Sequence, residues 1–305
     1  VAPLEPSLRG VHRLIVVSPD LLHGAPVEAM RDSLGRRLAD RFTISYAPSA
    51  LLYARSAATE AQRLPPSRWN ALLVGDPPAG NGAQRPGSRP ALPAAREEIR
   101  RLAALLPSET VLNDADASPA HLGRLARAGT LANYQLVHFA THATGDETWL
   151  RESALVFGAD ANSATRESGD RLATTEIASS WRLDADLVTL AACQSMIGPA
   201  SKTDGFLGLQ QALFAVGARR LLVSAWRVDD QATELLMRRF YQLLLARSDR
   251  PGSEALALAD ARRWVRDWTA PDGSRPYAHP VYWAGFVLIE GGLGGLPHGQ
   301  ITNLR

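Results

Sequence analysis

Sulfur is almost missing from this chain: Cys193 is the single cysteine in 305 residues. One thiol excludes an internal disulfide, and it excludes the thiolate-rich zinc and iron–sulfur arrangements, which need several sulfurs at fixed spacing. A reducing compartment is the simpler expectation, and the chain is read as cytoplasmic. Lysine is equally scarce, with Lys202 alone, and 33 basic against 31 acidic residues leave a formal charge of +2. No concentrated basic patch points to nucleic acid. No apolar run approaches the ~18 residues that would span a bilayer, so no membrane partner is expected. The opening VAPLEPSLRGVHRLIVV carries Pro3, Glu5 and Pro6 ahead of a short apolar run, unlike a secretory leader. A Gly-x-Ser-x-Gly elbow and a Gly-Lys-Ser/Thr phosphate loop are also lacking, which removes the commonest serine-hydrolase and nucleotide readings. No cofactor is expected.

What is present is globular. Hydrophobic residues make up 46% of the chain and charged residues 21%, well away from the composition of disorder. At about 150 residues per domain the length suits two units, or one large α/β unit with an extension. Residues 77–93 hold five prolines and three glycines and mark the best internal boundary. An amino-terminal supporting α/β subdomain over 1–85 and a larger domain over 86–305 are expected.

Periodicity predicts strands at 11–17, 42–46 (half-buried, by its alternation), 69–74, 136–139, 187–191, 221–225 and 286–289. It predicts helices at 94–106, with Ile99, Leu102 and Leu106 inward, and at 205–216, 231–246 and 253–268. A further helix is expected where Met30, Leu34 and Leu38 recur every four residues. The polar stretch 159–171 reads as a surface loop. Gly291 to Gly295 follow a strand but precede no helix, so they read as a flexible tail and not a dinucleotide fingerprint. Strands alternating with helices of these lengths imply a largely parallel sheet covered on both faces.

In such sheets, chemistry gathers beyond the carboxyl ends of the strands. His142 and Cys193 each follow an apolar strand, 51 residues apart. A thiol becomes a good nucleophile only on losing its proton, so a nearby imidazole makes the two a candidate dyad. The alternative is that Cys193 is a small core residue. His138 and His142 have a His-x-x-x-His spacing, but the surroundings are strand-like and no glutamate follows the first, so a metal is not expected. His138 reads as a hydrogen-bonded histidine within the sheet, supporting the turn that holds His142. Asp229 and Asp230 open a helix, where a carboxylate caps N–H groups. The aromatic segment His279 to Trp283 reads as core packing.

Four segments occur in order: YQLVHFATHA (134–143), DLVTLAACQS (186–195), DGFLGLQQALFAVGARRLLVSAWRVDDQATELLMRRFY (204–241) and HPVYWAGFVL (279–288). With SYAPSA at 45–50 they resemble the CHAT family, caspase-like domains of clan CD cysteine peptidases related to caspases and separase. The resemblance runs from about 45 to 288, and four motifs in register make it specific. It implies a caspase-like three-layer α/β/α sandwich and a cysteine endopeptidase acting on protein or peptide substrates. Cys193 matches the nucleophile and His142 the catalytic imidazole, with the backbone N–H groups of Ala143 and Cys193 forming the oxyanion hole. Family members usually carry glycine where Ala143 stands. A methyl there costs about 1 kcal/mol if the turn takes positive φ. Similarity of residues 226–230 to separase-like peptidases implies that Asp229 and Asp230 bind a basic P1 side chain. Related domains are commonly attached to helical-repeat arrays, so a regulatory helical-repeat module or activating partner is expected. A catalytically silent interaction module of the same fold and another thioester-forming hydrolase remain as alternatives at this point.

Overall fold

The computed structural model describes residues 2–17, 26–58, 60, 63–75, 93–144, 154–157, 171–191, 204–226, 228–247, 253–292 and 294. The strands are β1 (Arg13–Val17), β2 (Thr43–Ala47), β3 (Ala71–Gly75), β4 (Glu109–Leu112), β5 (Leu136–Ala140), β6 (His142–Thr144), β7 (Ala154–Val156), β8 (Arg171–Ala173), β9 (Leu187–Leu190), β10 (Arg220–Ser224) and β11 (Phe286–Glu290). The helices are α1 (Leu38–Arg41), α2 (Ala50–Ala58), α3 (Pro93–Ala103), α4 (Pro119–Arg127), α5 (Thr174–Ser180), α6 (Asp204–Ala215), α7 (Asp230–Ala246), α8 (Ser253–Asp267) and α9 (Pro280–Trp283).

Eight strands form one sheet in the order β1-β2-β11-β10-β9-β5-β3-β4, and β6-β7-β8 form a small antiparallel sheet. Neighbours in the large sheet are parallel except β10 and β11. The block β10-β9-β5-β3-β4 therefore delivers all its carboxyl ends to one edge. Strands from both sides of the proline-rich stretch 77–93 share this sheet, with β3 lying between β5 and β4.

Strand alternation divides the interior into two layers. Val137 and Phe139 of β5 pack with Leu122 of α4, Ile177 of α5 and Leu213 of α6. Leu136 and Ala140, on the opposite face, pack with Ile99 of α3, Phe240 of α7 and Leu258 of α8. With helices over both faces, β5 and β9 read as nearly continuous apolar runs. β2 is likewise buried at every position, so the expected half-buried strand is fully covered. The expected α3 stripe is buried, with Ile99 and Leu102 at 0% exposure and Leu106 at 7%.

Two further expectations are corrected. Residues 30–38 do not form a helix: Met30 and Leu34 are exposed, and helix begins only at Leu38. The Asp32 side chain accepts from the N–H groups of Leu34 and Arg36, and Gly35 has φ of 77°. That side-chain-stabilised turn displaces the helix its apolar spacing suggested. Nor are Gly291 and Gly292 a loose tail. Both are buried, Gly292 N–H donates to the Arg219 carbonyl at 3.0 Å, and a Cβ on Gly292 would meet the Ala218 carbonyl oxygen at 1.9 Å. Close backbone approach explains the glycine there.

Candidate functional site

The candidate residues leave three adjacent strands. His142 follows β5, Cys193 follows β9, and Asp229 follows β10, with β9 in the middle. β5 and β9 are parallel, with His138 opposite Thr189 and Phe139 opposite Leu190. Ala191 extends the pairing by one residue, its N–H donating to the Phe139 carbonyl at 2.8 Å. His142 and Cys193 each stand third in sequence after the Phe139–Leu190 pair. Cys193 itself lies outside the described residues, as does the stretch 158–170 that covers most of the expected polar loop.

The turn out of β5 is made at Thr141, which is fully buried. Its hydroxyl donates to the Val156 carbonyl of β7, tying the main sheet to the small one. The chain continues into β6, where His142, Ala143 and Thr144 lie opposite Val156, Leu155 and Ala154. Among the described strands β6 is the edge of its sheet. Ala143 is thus in extended backbone, and Asp114 is the one non-glycine residue with positive φ among the described residues. The positive φ on which a methyl cost at 143 would depend is not found there.

Below this turn is a buried polar chain. His138 Nδ1 lies 3.0 Å from the Tyr241 hydroxyl of α7, which is 2.8 Å from Thr189 Oγ1 of β9. His138 Nε2 stands 3.0 Å from Glu98 Oε1 of α3, at ion-pair distance without hydrogen-bond alignment. His138, Thr189 and Tyr241 are at 0% exposure and Glu98 at 5%. Burial, with the Glu98 charge adding to it and the Thr189 hydrogen bond opposing it, holds the Tyr241 phenol above its ordinary range. His138 is therefore a hydrogen-bonded histidine within the sheet, as its setting in an apolar strand predicts. Among the described residues no cluster of three or more His, Cys, Asp or Glu side chains suits a metal. Sequence reasoning missed Glu98, Thr189 and Tyr241. Two signals were available: Thr189 interrupts the apolar run Leu187-Val-Thr-Leu190, and Glu98 lies four residues before inward Leu102.

Asp229 is the N-cap of α7, and its side chain accepts from Gln231 and Ala232 N–H at 3.1 and 3.0 Å. Asp230 occupies the first turn, exposed. Behind them, Trp226 Nε1 donates to the Val281 carbonyl at 3.0 Å. A Cβ on Gly285 would stand 3.1 Å from that indole nitrogen and 2.5 Å from Val228 Cγ2. Of the segment expected to be core packing, Trp283 is buried, whereas His279 and Val281 are exposed. His279 caps α9 by accepting from Val281 N–H. Burial and then the Asp229 charge raise the Tyr277 phenol above its ordinary range. No helix among the described residues is long and apolar enough to cross a membrane.

The mostly parallel sheet between two helical layers, with β6–β8 beyond its carboxyl edge, defines a caspase-like α/β/α protein. It is similar to the crystal structure of the Arg specific cysteine proteinase gingipain R, with a TM-score of 0.50 at 10% identity over 96% of this chain and 66% of that one. The family model for the CHAT domain matches residues 1–290, and the chain belongs to that family. Among curated proteins it is 25% identical to tetratricopeptide repeat protein 28 of Mus musculus and 26% identical to that of Homo sapiens, each over 95% of this chain. The chain spans only 13% and 12% of those relatives.

Proposed function

We propose that this domain is a cysteine endopeptidase with a His142–Cys193 dyad. The observation that carries the reading is the registered parallel pairing of β5 and β9, which sends both strands to one sheet edge with the same offset to the two residues. Family membership and the caspase-like fold support it. His142 takes the Cys193 thiol proton, and the thiolate attacks the scissile carbonyl carbon to form a tetrahedral oxyanion. The imidazolium returns the proton to the departing amine as the C–N bond breaks. Water, deprotonated by the same imidazole, then hydrolyses the thioester to carboxylate and free thiol. Ala143 and Cys193 N–H groups hold the oxyanion, each worth ~10²–10³ in rate. Because β6 is an edge strand with alternating N–H directions, this role assigns the Ala143 N–H to the open side.

Asp229 and Asp230, beyond β10 and beside the β9 exit, receive a basic P1 side chain in this reading. Asp229 combines this with capping, since two of its acceptor sites are used by N–H groups and a carboxylate offers about four. The repeat-protein names of the curated relatives support a helical-repeat module as covalent or separate regulator. The test is a search for new protein amino termini after incubation of a cell extract with wild type and with Cys193→Ala. The account expects wild-type-specific termini following Arg or Lys. Identical terminus sets from the two proteins would reject it.

A further inference from the structure

The buried chain of Glu98, His138, Tyr241 and Thr189 performs no chemistry in the mechanism above, yet it joins the two strands that carry the dyad. His138 and Thr189 are a registered pair on neighbouring strands, with side chains on the same face. Each stands four residues before a proposed dyad member, His142 and Cys193. One phenol oxygen bridges them from α7, and Glu98 closes the far side of the imidazole from α3.

The donors and acceptors fit one directed chain. Placing the imidazole hydrogen on Nε2, the side Glu98 flanks without hydrogen-bond alignment, leaves Nδ1 as an acceptor. Nδ1 then accepts from the Tyr241 O–H, and the Tyr241 oxygen accepts from the Thr189 O–H. The Tyr241 ring is fixed independently of these bonds, lying edge-on to His138 at 5.7 Å and to Phe240 at 5.0 Å between centroids. A hydroxyl set on a packed ring is a rigid spacer. Losing it strands two buried polar partners away from water, so neighbouring elements shift until those partners find others.

We propose that Tyr241, with His138, Thr189 and Glu98, is a positioning clamp that fixes the β5 and β9 exits against each other and so sets the dyad geometry. The clamp also couples the dyad to α7, the helix that Asp229 caps and Asp230 opens. This inference rests on the peptidase reading for its catalytic consequence, and on the hydrogen-bond geometry alone for its structural one. None of the four residues touches substrate.

The test uses the full chain and three variants, Tyr241→Phe, Thr189→Val and Thr189→Ser, with two readouts. Amide hydrogen exchange over 136–140 and 187–191 reports the clamp. Tyr241→Phe and Thr189→Val should speed exchange there by about 10-fold, with β1 and β2 unchanged as the internal reference. Thr189→Ser, which keeps the hydroxyl, should retain wild-type protection. Labelling of Cys193 by an arginyl acyloxymethyl ketone reports positioning. It should slow by about 10- to 100-fold in Phe and Val variants that remain folded, and be restored with Ser. Unchanged exchange over both segments in Tyr241→Phe and Thr189→Val would overturn the clamp. Altered exchange with unchanged labelling would overturn its positioning role. Wild-type labelling no faster than that of free cysteine would instead reject the peptidase reading and the positioning role with it, while exchange still decides the clamp.

Discussion

Two clusters of buried polar side chains lie in one sheet and differ in how their polarity is satisfied. At the amino end of β10, the edge opposite the dyad exits, Arg220 is 3% exposed. It pairs with Glu254 at 3.3 Å, Glu290 at 3.5 Å and Glu60, and Arg13 shares Glu290 at 2.6 Å. Burial opposes the guanidinium charge, but Glu254, Glu60 and Glu290 together outweigh it and hold its pKa above the ordinary value. In the middle of β5 and β9 one carboxylate is present among the described residues, and hydroxyls relay the hydrogen bonds. The first cluster anchors elements by charge: it joins the start of β10 to the end of β11 and to α8. The second sets a distance between two strands, a task for which a short bridge of fixed length suits better than flexible charged side chains.

The largest effect that sharpens this contrast is expected at Arg220. Arg220→Met leaves Glu254 buried without its guanidinium and Glu290 with Arg13 alone, and should cost about 3–5 kcal/mol in urea unfolding. The folded fraction should label at Cys193 at the wild-type rate. A selective loss of labelling without loss of stability would merge the two clusters into one function and break the comparison. Tyr241→Phe should show the reverse balance, a stability cost of about 1–3 kcal/mol with a larger effect on labelling.

At Asp229 the two roles separate by substitution. Asp229→Ala removes the cap and should cost about 1 kcal/mol, whereas Asp229→Asn keeps an N-capping oxygen and should be near neutral in thermal unfolding. Both should lower the preference for arginyl over neutral-P1 peptide electrophiles, because both remove the charge. An unchanged preference in both would leave Asp229 as a cap only.

The smallest effect is expected next to the clamp, at Glu97. Its partly exposed carboxylate is held at about 2 by hydrogen bonds from Arg100 and then Arg101, against an ordinary 4.5. The folded value is depressed, so this contribution is complete above pH 4.5 and is lost as pH falls towards 2. Glu97→Gln should therefore lower stability slightly at every pH above that window and leave it unchanged near pH 2, which flattens the acid limb of the profile, with labelling unchanged. A loss of labelling at neutral pH would show that the face of α3 bearing Glu97 also supports the site.

The strands that position the site were readable because double coverage makes them nearly continuous apolar runs, as in Leu136-Val137 and Leu187-Val188. The long helices α7 and α8 declared themselves by period. Shorter elements did not. α4, α5 and β4 are brief and small-residue or polar in part, and β6, β7 and β8 have only three residues each, too few to show a period. The misread stretch 30–38 had helical spacing, but Asp32 and Gly35 supplied a turn locally. At the proposed site, His142 and Cys193 were singled out by position after strands and by motif. Tyr241 was not, since its partners are 103 and 52 residues away in sequence, and no local pattern announces a contact of that range.

The most direct test of the dyad is the second-order rate at which an arginyl acyloxymethyl ketone labels Cys193 in wild type and in His142→Ala, with the modified residue identified by mass. The account predicts labelling well above the free-cysteine rate in wild type and a fall of about 10²–10⁴-fold without the imidazole. Equal rates in the two proteins, at the level of free cysteine, would contradict it.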